Sequence, residues 1–221
     1  MSFITQYLIS QGIPQETVAL LLILPIATVI IAFARQVVGI RGFGIYTPLI
    51  IAFALTATGL KYGLIFFITI ITVGTLIRIF IKKFRLLYLP RMAIVITIVA
   101  AAILLIISLN DIYLNNNQLS TMPVLAVLVM IPLVEKFIAV QVKKGARDAI
   151  IITLETLTLS VVCFLIISWG WLQSIVLNYP IWFFLGSILI NFFLGKWSGL
   201  RLTEYYRFRD VIKNMELPDK K

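Results

Sequence analysis

The sequence has 221 residues, of which 61% are hydrophobic and only 13% are charged. A soluble globular protein has about 45–50% apolar and about 25% charged residues, so this composition, with a mean hydropathy of +1.06, excludes that class. The chain has no histidine and one cysteine, which excludes Ser-His and Cys-His catalysis, histidine-ligated zinc or haem, and an intrachain disulfide. We therefore predict an integral membrane protein without a cofactor or a metal.

Seven apolar stretches follow one another along the chain, and each is a candidate for crossing about 30 Å of hydrocarbon. Because an unpaired backbone is too costly in lipid and the alternation of barrel strands is absent, each stretch is predicted to be a helix. The fifth helix is predicted to continue through Glu135–Val142. The stretches are Thr17–Ala34, Phe43–Thr58, Tyr62–Ile81, Met92–Leu109, Thr121–Val134, Ala149–Ser168 and Tyr179–Gly195.

Basic residues in the loops set the predicted orientation. With the N-terminus outside and the C-terminus inside, every Lys and Arg except Lys61 falls on the inner side, as the positive-inside rule requires. An alternative with six spans, in which Phe43–Thr58 only dips into the bilayer, places Arg35, Arg41 and Lys61 outside and is less favoured. The net charge of +10 is interpreted as a topology signal and as contact with anionic lipid headgroups, not as affinity for nucleic acid.

No second domain is visible in the sequence. We expect one all-α membrane bundle over residues 1–221, with a short outer segment (1–16), the spans (17–195) and a cytoplasmic tail (196–221). In the tail, apolar residues recur at helical spacing between charged ones, which predicts an amphipathic helix along the inner membrane surface. The apolar positions are Leu202, Tyr205, Phe208, Ile212 and Met215.

Glu155 is the acidic residue that lies well inside a predicted span. An ionised carboxylate at that depth is costly unless it is paired or faces water. Arg78, on the third span and at a similar depth, is its predicted partner. We favour a structural role, either an ion pair or a protonated Glu155 bonded to a neighbouring span, over the alternative of an ion or proton pathway.

Small and hydroxyl-bearing residues on the sixth span are predicted to mark close helix–helix packing. They are Thr153, Thr156, Ser160 and Cys163, which share one face of the helix. Pro25, in the middle of the first span, and Pro132, near the inner end of the fifth, are each predicted to kink their helix because proline removes a backbone hydrogen bond.

The loops on the predicted inner side contain the densest set of polar residues. RQVVGIRGFG (35–44) combines two arginines with three glycines, which permit a tight turn with positive φ and a nest of N–H groups for an anion. A topological role needs only positive charge, whereas arginine forks bind carboxylates and phosphates bidentately, so the frequent arginines favour an ordered network. Its predicted members are Arg35, Arg41, Arg85, Arg91, Glu135, Arg147, Arg201, Glu204, Arg207 and Arg209.

These motifs resemble a known family, the seven-transmembrane bacterial proteins that are usually fused to an inactive transglutaminase-like domain. The resemblance covers nearly the whole chain and implies a helical domain with an outward N-terminus in a bacterial cytoplasmic (inner) membrane. The matching stretches are Arg35–Leu60, Phe84–Thr97, Glu135, Gly145 with Arg147, and Leu194–Arg209.

In the family the outer terminus usually carries the transglutaminase-like domain, but here only residues 1–16 precede the first span. The resemblance therefore implies that this domain is missing or is a separate chain. Because family members are typically encoded with ATP-grasp peptide-ligase-like proteins, the implied partners are a separate transglutaminase-like or ATP-grasp chain. We expect a non-catalytic membrane module that anchors or couples partner proteins. A transporter or channel component that uses Glu155 and Arg78 is the alternative, and an enzyme comes third.

Overall fold

The computed structural model describes residues 3–81, 84, 87–114, 128–196 and 199, and the regular secondary structure of these residues is entirely helical. The predicted all-α class is thereby confirmed. The helices are α1 (Phe3–Ser10), α2 (Gln15–Phe33), α3 (Tyr46–Thr58), α4 (Leu60–Ile81), α5 (Tyr88–Leu114), α6 (Pro132–Lys144), α7 (Ala146–Ile167), α8 (Gly170–Asn178) and α9 (Pro180–Gly195), with a π-helical turn (Ala34–Val38) after α2.

Four helical segments of the described chain are long and apolar enough to cross a membrane. Each has more than 20 residues, and a helix of 20 residues is about 30 Å long. The four segments match the first, third, fourth and sixth predicted spans. In addition, α8 and α9 pass the same test together although they meet at a bend of 102°, and α3 is a shorter apolar helix of 13 residues. The four segments are Gln15–Val38, Leu60–Ile81, Tyr88–Ser108 and Ala146–Ile167.

Several predicted boundaries differ from those in the structure. The predicted outer loop Asn110–Ser120 begins inside a helix, because α5 starts at Tyr88 and continues to Leu114. A helix that has formed adds one backbone bond with each further residue, polar or apolar, so it extends beyond the apolar run at both ends. The short helices α1 and α8 were not predicted, because a search for membrane-spanning lengths does not detect helices of 8 and 9 residues.

The fifth predicted span and the tail are only partly tested. Residues 121–127 and the predicted amphipathic helix of the tail lie outside the described residues. Residues 128–130 are helical, and α6 runs to Lys144, which confirms the predicted continuation through Glu135–Val142. The backbone changes to tighter i+3 bonds at Ile131, where Val134 N–H bonds to the Ile131 carbonyl at 3.0 Å. The regular helix is thus interrupted beside Pro132, whereas α2 continues as an α-helix through Pro25; the kinks expected at the two prolines stay predictions.

The chain divides into two compact units, and the first comprises Met1–Ile45 and Ile166–Lys221. In it, α2 packs against α1, α8 and α9. Ile23 and Ala27 of α2 are fully buried. The Thr5 hydroxyl of α1 donates a hydrogen bond of 3.1 Å to the Leu177 carbonyl at the end of α8, so the two short helices are joined to each other as well as to α2.

The second unit comprises Tyr46–Leu165, and its central helix is α4, which packs against α3, α5 and α6. Two glycines allow α4 to approach its neighbours closely, as is common between membrane helices. A Cβ on Gly63 would meet Thr58 Oγ1 at 2.7 Å, and one on Gly74 would lie 3.2 Å from Val134 Cγ2 and closer still to its other methyl group. Both contacts require the absence of a side chain at the glycine.

The four small and hydroxyl-bearing residues that were predicted to share one face of α7 are buried. Thr156, Ser160 and Cys163 have no exposed surface, and Thr153 is nearly as buried. Each hydroxyl bonds to the carbonyl one turn earlier in the same helix, for example Ser160 Oγ to the Thr156 carbonyl at 2.7 Å. The four residues therefore face the protein interior, and the hydroxyls are satisfied without a ligand; the close helix–helix packing expected along this face stays a prediction.

Candidate functional site: a polar cluster at one end of the second unit

The helices of the second unit bring polar side chains together at one end. α4 ends at Ile81 and α5 begins at Tyr88, so the last turn of α4 and the first turn of α5 lie at this end. The contact between Gly74 and Val134 brings the first turn of α6 to the same level. We call the assembled side chains the polar cluster; its members are Thr47, Arg78, Tyr88, Arg91, Glu135 and Lys136.

A hydrogen bond joins α5 to α6 in this cluster. The hydroxyl of Tyr88 donates to Oε1 of Glu135 at 2.8 Å. Hydrogen bonds to an ionised carboxylate are shorter and stronger than those between neutral groups. Both side chains are exposed, so the bond forms at the surface and fixes the direction of the Glu135 carboxylate without removing it from solvent.

A second hydrogen bond joins α6 to α3. Nζ of Lys136 donates to Oγ1 of Thr47 at 2.6 Å. Thr47 is buried in the first turn of α3, whereas Lys136 is exposed. The bond holds the ammonium group against the first turn of α3, while the Lys136 residue as a whole stays exposed. Adjacent residues of α6, Glu135 and Lys136, thus bond to two different helices.

Arg78 and Arg91 complete the cluster. Arg78 follows Gly74 by one turn and Arg91 follows Tyr88 by three residues, spacings that keep each pair on one face of its helix. The two guanidinium groups lie close enough for electrostatic repulsion between them. Both side chains are half-buried, so the structure holds two like charges near each other with reduced contact with water.

The predicted inner-surface network is only partly brought together. Arg91 and Glu135 lie in the polar cluster, whereas Arg147 is exposed at the beginning of α7. Arg35 is half-buried in the π-helical turn and Arg41 is exposed after it, and both belong to the first unit. The remaining predicted members lie outside the described residues: Arg85, Arg201, Glu204, Arg207 and Arg209.

The turn after α2 has the predicted backbone conformation. Gly39 and Gly44 both have φ of 92°, which confirms the expected positive φ for two of the three glycines of this loop. The predicted anion nest needs one correction. The N–H groups of Gly39 and Ile40 both donate to the carbonyl of Ala34, at 3.0 and 3.2 Å. These bonds end the π-helical turn, so neither N–H group is available for an anion.

The predicted pairing of Arg78 with Glu155 stays a prediction. Arg78 lies in the last turn of α4 and Glu155 lies in the middle of α7, and both are half-buried. In the described part of the chain, the extensive contacts of α4 are with α3, α5 and α6. The charged residue that acts most clearly on Arg78 is Arg91. Arg91 lies on α5, and a comparison of depths in the membrane did not identify α5 as the neighbour of Arg78.

Sequence reasoning missed three members of the cluster: Thr47, Tyr88 and Lys136. A signal for Tyr88 is present, because an aromatic hydroxyl three residues before Arg91 at a helix start can reach a neighbouring helix end. Thr47 resembles any hydroxyl residue in an apolar run. In the described residues, no group of three or more Cys, Asp or Glu side chains is placed to hold a metal ion.

The apolar spans, together with a polar cluster confined to their ends, define a multi-pass helical membrane protein. A family model described as seven transmembrane helices usually fused to an inactive transglutaminase matches residues 4–212. The chain belongs to this family, and the resemblance found in its loop motifs is thereby confirmed. No curated protein and no solved structure matches the chain.

Proposed function

We propose that this chain is a non-catalytic membrane module that anchors or couples partner proteins, and that the polar cluster is the surface on which a partner docks. The observation that carries the proposal is the pair of hydrogen bonds from Tyr88 to Glu135 and from Lys136 to Thr47. They hold the charged groups of Glu135 and Lys136, two exposed residues of α6, in fixed positions against α5 and α3, as a specific docking surface requires. The family description, in which the usual fusion partner is inactive, supports a role without catalysis.

The proposed topology has seven spans in a single domain over residues 1–221, with the N-terminus outside and the C-terminus inside a bacterial cytoplasmic membrane. Residues 1–16 lie outside, and the tail, residues 196–221, lies along the inner leaflet against anionic headgroups. Support comes from the polar cluster, because Arg78, Arg91 and Lys136 were assigned to the inner side and all lie at one end of the second unit. The seven spans of this topology include α3, which is only about 20 Å long at 1.5 Å per residue.

Cysteine labelling tests this topology. Single cysteines at Asn116 and at Lys143, in a Cys163→Ala background, should react differently with a membrane-impermeant thiol reagent in intact cells. We expect Asn116→Cys to be labelled and Lys143→Cys to be labelled only after lysis. Labelling of Lys143→Cys in intact cells would rule out the seven-span arrangement.

The proposed partners are a separate transglutaminase-like chain or an ATP-grasp chain on the inner side. Cross-linked pull-down from native membranes should recover such a chain with the wild type and with the control Lys144→Gln, whose exposed side chain lies outside the cluster. Recovery should fall with the double variant Glu135→Gln and Lys136→Gln, because both fixed charges are lost. Equal recovery with all three proteins would show that the polar cluster is not the docking surface.

A further inference from the structure

The first unit contains a cavity between the beginning of α2 and α8. Its volume is about 510 Å³. Ala19 and Leu177 are buried, whereas Glu16 is exposed, so the cavity combines an apolar inner wall with a polar rim at the surface. The residues that line it are Pro14, Gln15, Glu16, Ala19, Gln173 and Leu177.

Hydrogen bonds hold the α8 side of this cavity in place. Nε2 of Gln173 donates to the Ile167 carbonyl at 2.8 Å, and the Thr5 hydroxyl of α1 donates to the Leu177 carbonyl. Since the amide nitrogen of Gln173 is engaged, its carbonyl oxygen is the group that this side chain offers to a ligand. The wall is therefore preformed, which lowers the cost of ordering it on binding.

Glu16 gives the cavity a negative charge. It is the only charged side chain in residues 1–34 and 166–195, which contain α1, α2, α8 and α9. An acidic side chain in the first turn of a helix interacts favourably with the helix dipole, but the dipole does not neutralise the charge that lines the cavity. A cavity lined by charge of one sign attracts ligands of the opposite sign, so we expect a cationic ligand.

The lining also selects among cations. The Glu16 carboxylate and the Gln173 carbonyl oxygen accept hydrogen bonds, and a primary ammonium group has three N–H donors. A quaternary ammonium group has none and is typically held by aromatic side chains, which do not occur among the described residues that line the cavity. The chemistry of the lining therefore favours a primary ammonium group.

Exposed aromatic side chains indicate the depth of the cavity in the membrane. Trp169 and Trp171 at the beginning of α8 and Tyr179 after its end are between 59% and 65% exposed. Tryptophan and tyrosine are enriched at the membrane–water interface, at the level of the headgroups. An ammonium group at this depth comes either from the ethanolamine headgroup of a phospholipid or from an amine dissolved in water.

We propose that the cavity between α2 and α8 binds the primary ammonium group of a ligand, with the Glu16 carboxylate as its counter-ion and the Gln173 carbonyl oxygen as a second acceptor. In the proposed topology the cavity lies on the outer side, because it includes residues 14–16. The site belongs to the first unit, so it does not depend on the polar cluster or on the docking of a partner there.

Binding to the full-length chain purified in detergent tests the site. Native mass spectrometry compares phosphatidylethanolamine with phosphatidylcholine of the same acyl chains, and titration calorimetry measures the binding of ethanolamine. Glu16→Gln keeps the size of an exposed side chain and removes its charge, so it should lower the affinity for the bound amine about three- to tenfold. The matched control Asp148→Asn removes an acidic residue from the first turn of α7 and should change the affinity less than about twofold.

The three probes distinguish the two sources of the ammonium group. Phosphatidylethanolamine that binds more tightly than phosphatidylcholine, and that ethanolamine does not displace, assigns the site to a lipid headgroup. Binding of ethanolamine without a preference between the two lipids assigns it to a dissolved amine. The proposal is overturned if the lipids bind equally and ethanolamine does not bind, or if Glu16→Gln leaves the affinity unchanged. The assay uses the chain without partners, so a failed pull-down beside positive amine binding would refute only the proposed docking function.

Discussion

The close contact of α4 with α6 makes Gly74 sensitive to the addition of a side chain. A Cβ there would lie 3.2 Å from Val134 Cγ2 and would overlap Cγ1. Val134 is only 1% exposed, so its methyl groups have no open space into which to move. Gly74→Ala must therefore separate the two helices or force Val134 out of its rotamer.

The loss of unfolding free energy expected for Gly74→Ala is best measured against a matched control, Gly186→Ala. Overpacking by one methyl group costs about 1–3 kcal/mol, while replacing glycine by alanine inside a helix gains about 1 kcal/mol. Gly186 of α9 has no atom within 4 Å of the position of an added Cβ, so Gly186→Ala receives the gain without the cost. The two variants should thus differ in unfolding free energy by about 1–3 kcal/mol, or roughly 2–4 °C in Tm for each kcal/mol.

The assay is thermal unfolding of the detergent-purified protein, followed by size-exclusion chromatography after heating. Adding Val134→Ala to Gly74→Ala should recover part of the loss, because the smaller side chain makes room for the new methyl group and the two changes are coupled. Equal stability of the Gly74 and Gly186 variants would refute the close approach of α4 and α6. Absence of any recovery in the double variant would show that Val134 is not the obstacle.

Three further predictions concern single contacts. Tyr88→Phe removes the 2.8 Å bond to Glu135 and should lower the unfolding free energy by about 0.5–1.5 kcal/mol; no change on denaturant titration in detergent would mean that the bond does not contribute. If Arg78 and Glu155 are paired, Arg78→Met or Glu155→Leu alone should cost about 3–5 kcal/mol and the double change much less, whereas additive losses in thermal stability would show no contact. Cys163, fully buried, should resist thiol reagents in the folded protein and react after denaturation; rapid labelling of the native form would contradict its burial.

Hydropathy and glycine chemistry predicted the parts of this fold that depend on local sequence. The first, third, fourth and sixth spans follow from apolar length, because a helix in lipid must be long enough to cross it and must satisfy its own backbone. Gly39 and Gly44 adopt positive φ since glycine tolerates that conformation at little cost. Neither prediction requires knowledge of which helices are neighbours.

The polar cluster depends on neighbours, and for that reason the sequence predicted it only in part. Depth in the membrane can be counted along each helix, and on that basis Arg78 and Glu155 were matched. Depth does not determine which helices stand side by side or how each is rotated. The bonds of Tyr88 to Glu135 and of Lys136 to Thr47 depend on which helices are neighbours and on how each is rotated. Arg91 and Glu135 were therefore predicted as members of a surface network, but the side chains that surround them were not.

The bend of 102° between α8 and α9 has a consequence for the surrounding lipid. Because the chain turns at Tyr179, α8 cannot lengthen α9, whose 16 residues make it about 24 Å long at 1.5 Å per residue. The adjacent segment Gln15–Val38 has 24 residues and is about 36 Å long. In the proposed topology, α9 is shorter than the roughly 30 Å of hydrocarbon that a span must cross, whereas its neighbour is longer. A long helix fits an ordinary bilayer by tilting, but a short one requires the bilayer to become thinner around it, so we expect the lipids beside α9, between Trp182 and Lys196, to be compressed.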